Sequence, residues 1–326
     1  MNRLSELLLR HMTLFIFVLV FLYFGSQAPR FVGVESLTNI VKQASFIGVI
    51  AVGMTFVLLT AGIDLSVGSN MYLSAMAAAY VLQNPALNNA GGVALAIGAG
   101  LAVGMIFGLI NAVCIVVLRI TPFLVTLATL VAGRGMGTAI TESFGLQYPS
   151  AYLAFGASSV FGVPMPIIVF AAVVLAAHVV LAHTQFGRQI YAVGNDPEAA
   201  RRGGIKVDSI IFAVYLICGA CAAASGVTLI ALIGRLNQTF GVGREFDVIT
   251  AAVLGGTSLF GGVGTAFGSV VGSSLVQAVQ SGMIFVGINL YLQPMVLALI
   301  IFLAVLADAL RSRRIARLRA RRLRND

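Results

Sequence analysis

The chain has 326 residues, 59% of them hydrophobic and only 10% charged, with a net charge of +9. A water-soluble domain carries about a quarter charged residues, so this composition excludes a soluble fold and makes lipid the solvent for much of the surface. The basic residues gather at the ends of apolar stretches and in the C-terminal tail, which points to a membrane surface rather than to nucleic acid.

A crossing helix needs about 20 apolar residues, and hydropathy divides the chain into ten apolar stretches: residues 12–29, 44–62, 66–83, 92–118, 123–140, 163–183, 208–233, 247–263, 266–286 and 290–309. The first follows Arg3 and Arg10 and ends in Ser26-Gln27-Ala28, as a signal peptide would. Pro29 and further spans come after it, so an uncleaved first span is expected. Residues 31–43 read as a short amphipathic piece at the surface, and the glycine-rich 247–263 as a broken or re-entrant helix. The fold expected is an all-α, polytopic membrane bundle, with residues 1–326 forming one transmembrane domain.

Orientation follows from counting Lys and Arg in alternate connections. With the N-terminus in the cytoplasm, the inside set holds Arg3, Arg10, Arg119, Arg188, Arg201, Arg202, Lys206 and eight arginines between Arg311 and Arg324, fifteen in all. The outside set holds four: Arg30, Lys42, Arg235 and Arg244. Both termini are therefore expected on the cytoplasmic side of an inner membrane.

Two glycine ladders, Gly100-Gly104-Gly108 and Gly264-Gly268-Gly272, repeat at four-residue spacing, which lines each up on one helix face for close packing or a moving interface. The stretch Gly62-Ile63-Asp64-Leu65-Ser66-Val67-Gly68-Ser69 echoes Gly262-Val263-Gly264-Thr265-Ala266-Phe267-Gly268-Ser269, a trace of an internal repeat. Cys114, Cys218 and Cys221 lie in apolar segments and read as packing residues. His178 and His183 are five apart, off a shared helix face, and no metal site is read from them.

Ionisable and amide groups inside spans are functional candidates. Asp64 either caps the third helix, beside Ser66, or belongs to a gate or pathway. Asn70 and Asn111 either hydrogen-bond a solute or tie helices together. Arg134 needs a partner, and Glu142 is the expected one. Arg244, Glu245 and Asp247 are read as a solvated outer loop, with docking of a partner as the functional alternative.

The loop 184–206 contains the clearest local signal. Asp196 suits a helix N-cap and Pro197 the first helical position. Glu198 in the first turn and Arg201 and Arg202 in the last complement the helix dipole, and Gly203 or Gly204 ends the helix. So short a helix is unstable alone in water, so the bundle or a partner must hold it.

From Ala192 to Ile205 this loop resembles the coupling segment of permeases from the ribose, xylose, arabinose and galactose class of ABC importers, departing at Gly203, where that family often has serine. Residues 53–69 and 251–262 are similar to two further hallmarks of the same family, and the likeness runs over residues 40–310. The resemblance implies two permease subunits forming a pathway, cytoplasmic ATPase subunits that bind ATP and magnesium, and a periplasmic sugar-binding protein. It implies that Asn195, Asp196, Pro197, Glu198, Ala199, Ala200, Arg201, Gly204 and Ile205 engage the ATPase. Asp64, Ser66, Asn70, Asn111 and Arg134 remain the candidates for the substrate pathway. No cofactor, catalytic group or metal is expected on the chain itself. A Walker A loop needs Gly-Lys, and the two lysines, Lys42 and Lys206, follow valine and isoleucine.

Eight arginines in the last sixteen residues, 311–326, suit anionic headgroups at about 1 kcal/mol per charge. Stop-transfer anchoring explains them without nucleic acid. Competing readings are an ion-coupled carrier, for which only Asp64 and Asp308 approach the needed intramembrane carboxylates, a membrane-embedded enzyme, for which no nucleophile–base grouping is present, and a branched-chain amino acid permease.

Overall fold

The computed structural model describes residues 12–142, 144–300, 302, 303 and 306. The N-terminal arginines, Asp308 and the basic tail lie outside the described residues, as does most of the last third of the tenth stretch.

Helices dominate: α1 (Met12–Gln27), α2 (Val34–Leu59), α3 (Val67–Leu82), α4 (Ala90–Val116) and α5 (Pro122–Thr141) are followed by a short α6 (Ser150–Ala157) and by α7 (Met165–His183). Next come α8 (Gln185–Asn195), α9 (Pro197–Arg202), α10 (Val207–Ile233), α11 (Arg244–Leu254) and α12 (Ala266–Phe285), and residues 293–300 are helical again. Five of them, α2, α4, α5, α7 and α10, are long and apolar enough to cross a membrane. The chain is an all-α polytopic membrane protein.

Helix starts follow local chemistry. Asn89, Thr184, Asp196 and Thr265 each accept a backbone N–H of the following turn, and Pro122 opens α5 at a position where a missing N–H costs nothing. Two-residue strands serve as clips between loops: Leu146–Gln147 pairs antiparallel with Arg235–Leu236, and Ser159–Val160 with Val163–Pro164.

The core is built around α2 and α10. From Ala44 to Leu59 nearly every residue of α2 is buried, as befits a helix apolar on all sides. Against α10 lies α4, and here the first glycine ladder has its explanation. A Cβ on Gly100 would come within 2.4 Å of Val227, on Gly104 within 2.3 Å of Ala223 and on Gly108 within 2.6 Å of the Tyr215 carbonyl. Tyr215, Gly219, Ala223 and Val227 repeat at the same four-residue interval, so the glycine face of α4 lies along one face of α10, closest at Gly219 and Ala223.

Three expectations are corrected. Residues 31–43 lie largely at the surface, with Phe31 and Ile40 buried, but they are not a separate piece. A 3₁₀ turn (Pro29–Val32) buries Phe31, and from Val34 one helix runs unbroken to Leu59, because no proline or glycine pair interrupts it. Gly264 does not share a face with Gly268 and Gly272; it precedes α12, whose first residue is Ala266, and takes φ +159° against Thr257. Gly268 and Gly272 do pack closely, on the Gly255 and Ala251 carbonyls. His178 and His183 have their rings 5.5 Å apart and edge-on, since His183 is the last residue of α7 and its side chain is free to fold back. Among the described residues no group of three or more His, Cys, Asp or Glu could hold a metal ion.

Candidate functional site

Two breaks in the helical ladder organise the site. One, at residues 60–66, separates α2 from α3, with Ala61 at φ +58°. The other, at 255–265, separates α11 from α12 and carries Gly256, Gly261 and Gly262 at positive φ, a backbone that glycine adopts without strain. The expected interruption in 247–263 is thus a helix end at Leu254. The two echoing stretches play the same part, each leading from a break into a helix, and the second reaches the end of α2: Gly262 N donates to the Leu59 carbonyl at 3.0 Å.

The end of α8 is wedged into this meeting point. A Cβ on Gly194 would lie 1.7 Å from Leu59 O and 2.6 Å from Gly262 N, so only glycine fits. Tyr191, three residues earlier, donates its phenol to the Gly264 carbonyl at 2.8 Å, and burial raises its pKa above the ordinary phenol value. The Asn195 amide returns to the Tyr191 carbonyl at 2.7 Å, and its side chain borders Gly262. Tyr191 and Gly194 are not among the coupling residues expected from the sequence, although Gly194 lies in the Ala192–Ile205 stretch that carries the resemblance and Tyr191 stands one helical turn before Asn195.

The short helix after it forms as expected. Asp196 accepts from Glu198 N and Ala199 N, both at 3.0 Å, and Pro197 occupies the first position. Gly204, at φ +81°, ends it: Ile205 N bonds Ala200 O and Gly204 N bonds Arg201 O, a Schellman pattern. What holds six residues in helix is the bundle. Ala200 is buried, and Arg201 and Arg119 both pair with Asp208 at the start of α10, at 3.4 and 2.8 Å. Ala199 and Glu198 stay exposed. Gly204 and Ile205, with Gln185, Arg188 and Gln189, line a cavity of about 440 Å³ beside this helix.

The pathway candidates separate into three groups. Asp64, Ser66 and Asn111 join one buried chain: Asp64 Oδ1 accepts Ser66 N at 2.9 Å and Ser66 Oγ at 2.6 Å, Asn111 Nδ2 donates to Ser66 Oγ at 2.8 Å, and Thr129 Oγ1 donates to Asn111 Oδ1 at 2.8 Å. Asp64 therefore does not cap α3 directly. Ser66 is the capping position, and Asp64 closes the turn ahead of it, with the Cys218 thiol of α10 at its other side. Asn70 forms a second group, donating to the carbonyls of Gly104 at 3.1 Å and Gly219 at 3.3 Å while Ser74 Oγ donates to its Oδ1. In this conformation both asparagines tie helices together.

Arg134 is the third. Its partner is not Glu142, which is exposed at φ +48° where α5 ends. The guanidinium donates instead to the Phe240 carbonyl, lies 5.5 Å from the Tyr72 ring centre and faces Glu245. The loop 237–243 folds inward against α5 and brings these groups closer than two turns of one helix allow. Nor are Arg244, Glu245 and Asp247 a solvated loop. Glu245 is 6% exposed, and Asp247 pairs with Arg244 at 3.2 Å and accepts from Gln280 at 3.3 Å.

With this geometry in view, the comparisons with known proteins are concordant. Residues 36–305 match a family described as branched-chain amino acid transport system / permease component. The ribose import permease protein RbsC of Escherichia coli is 36% identical over 87% of this chain and 88% of its own length. The D-allose transport system permease protein AlsC of Escherichia coli is 33% identical over 92% of each chain. The galactose/methyl galactoside import permease protein MglC of Salmonella typhimurium is 33% identical over 87% of this chain and 89% of its own. No solved structure matches the chain. The chain belongs to this family of transport permeases.

Proposed function

We propose, from membership in that permease family, that the chain is the membrane-spanning subunit of an ATP-driven importer and forms the translocation pathway for a sugar or sugar-like solute. The observation that carries this reading is the likeness to three sugar permeases over nearly the full length of each chain. It favours a sugar over a branched-chain amino acid, the solute in the family's description.

In this reading a periplasmic binding protein delivers the solute, a second permease subunit completes the pathway, and separate ATPase subunits hold ATP and magnesium. The loop 184–206 is the coupling element on the cytoplasmic side, as are both termini, and the basic tail at 311–326 rests on anionic lipid in the inner membrane. Tyr191, Gly194 and Asn195 sit on the two helix breaks while Ala199 and Glu198 face outward. A push on α9 is thereby passed to the ends of α2 and α12 through packed backbone rather than through a flexible linker. Asp64, Ser66 and Asn111 stiffen the α2–α3 break that this push reaches.

The test places an arginine on the outward face. Ala199→Arg should lower ATP-driven uptake in proteoliposomes about tenfold or more while the chain still inserts, since a long charged group at a docking contact costs several kcal/mol. Full uptake in this variant means that α9 is not the docking element. Uptake by the unsubstituted chain on a proton gradient without ATP would show an ion-coupled carrier instead.

A further inference from the structure

A cavity of about 710 Å³ opens on the opposite part of the molecule, between the C-terminal end of α10, the loop 237–243, the first turns of α11, Gln280 of α12 and residues 294–298. Its size is within the range of sites that hold small solutes. The segment that walls it is a discontinuous helix. With 11 residues, α11 is about 16 Å long and cannot cross a bilayer. It begins at Gly243, with φ +79° and the exposed Val242 before it, and its buried Glu245 carboxylate lies beside Gly68 of α3. Half-helices of this kind place backbone and polar side chains at depth, where an intramembrane cavity uses them to bind its cargo.

The polar groups at this wall are of a particular kind. Arg244 and Asp247 stand 3.2 Å apart and neutralise one another, and Gln280 Nε2 donates to the second oxygen of Asp247 at 3.3 Å. Asn237 and Thr239, whose side chains bond one another at 2.8 Å, also line the cavity, and Phe246 adds an exposed aromatic surface. A zwitterionic amino acid would need both a free cation and a free anion; Arg235 also lines the cavity, but the Arg244–Asp247 pair is closed and leaves no carboxylate for an ammonium group. A neutral polyhydroxylated molecule needs what is present: closely spaced donors and acceptors beside an apolar face.

We infer that this cavity is a solute-binding station on the pathway, and that Gln280, Asp247 and Arg244 bind the hydroxyl groups of a neutral monosaccharide-like solute. The inference rests on the importer reading and adds to it the place and the chemistry of the cargo site.

The experiment uses the chain assembled with its ATPase and binding protein in proteoliposomes, with radiolabelled D-ribose, D-allose, D-galactose and L-leucine as probes. For the sugar that the unsubstituted chain imports, Gln280→Ala and Asp247→Asn should each raise KM about fivefold, the effect of one lost hydrogen bond, whereas Leu175→Ala on the lipid-facing side of α7 should not. Should Gln280→Ala fail to assemble, Gln280→Cys supplies a second readout. The introduced thiol should react with a membrane-impermeant maleimide, more slowly in the presence of that sugar, with the unsubstituted chain as the blank. Unchanged KM in both variants overturns the site, as does an introduced thiol that sugar does not protect. Import of L-leucine and no sugar overturns the solute class. Absence of any ATP-driven import by the unsubstituted chain sinks the importer reading itself, a result distinguishable from the others because it appears before any substitution is made.

Discussion

Replacing Gly194 by alanine tests how α8 is joined to the two helix breaks. The added methyl would start 1.7 Å from the Leu59 carbonyl oxygen and 2.6 Å from Gly262 N. Carbon and oxygen atoms settle at about 3.3 Å even in their closest favourable contacts, so the end of α8 must withdraw by about 1.6 Å from Leu59. Neither neighbour is a side chain that can swing away, because both are backbone atoms, and Leu59 belongs to the buried end of α2. Overpacking of this sort costs about 1–3 kcal/mol, and the Gly262 N to Leu59 O hydrogen bond in the same crowd adds about 1 kcal/mol if it breaks. The expected outcome is a loss of about 2–4 kcal/mol and a detachment of α8 from the 255–265 segment. Thermal unfolding in detergent should report the first, and the ratio of solute imported to ATP hydrolysed in proteoliposomes the second. The control is Gly203→Ala, where a methyl would meet nothing nearer than 3.4 Å. Equal stability and equal coupling in Gly194→Ala and Gly203→Ala would refute the proposed rigid junction.

Asp196→Ala removes the side chain that accepts two N–H groups at the start of α9; a cost of about 1 kcal/mol should appear as faster amide exchange at residues 197–202. Asn111→Ala removes the amide that donates to Ser66 Oγ and accepts from Thr129 Oγ1, and a loss of about 1–3 kcal/mol should lower the detergent melting temperature, with Asn111→Asp at least as harmful because it buries a carboxylate on the hydroxyl that already serves Asp64. Asp208→Asn weakens two exposed ion pairs, so it should change stability by less than about 1 kcal/mol, checked by the same melting assay at low and high salt.

The chain's own letters settle a good deal. Too few charges to cover a water-facing surface, and apolar runs of membrane length, make the bundle necessary, and most observed helices follow those runs within a few residues, α2 starting ten residues earlier and α11 ending nine residues sooner. The cap of α9 is local chemistry, complete within residues 196–205, and was therefore legible in full. The first glycine ladder was legible as a packing face because four-residue spacing alone puts Gly100, Gly104 and Gly108 on one side. What that face packs against was not, since α10 lies about a hundred residues further on.

Tertiary structure decided everything that depends on which segments meet. Arg134 found the Phe240 carbonyl and Glu245 rather than Glu142 because the loop 237–243 folds against α5, an event with no local signature. Asn70 and Asn111 carry the same amide, yet one clasps two helix backbones and the other links two hydroxyls, according to their neighbours. Ala199 and Ala200 are adjacent and identical in the sequence, but only Ala200 is turned into the bundle. Hydrophobic periodicity records how much of a helix is buried and on which side; hydrogen bonds between segments distant in the chain form only after those sides have been brought together.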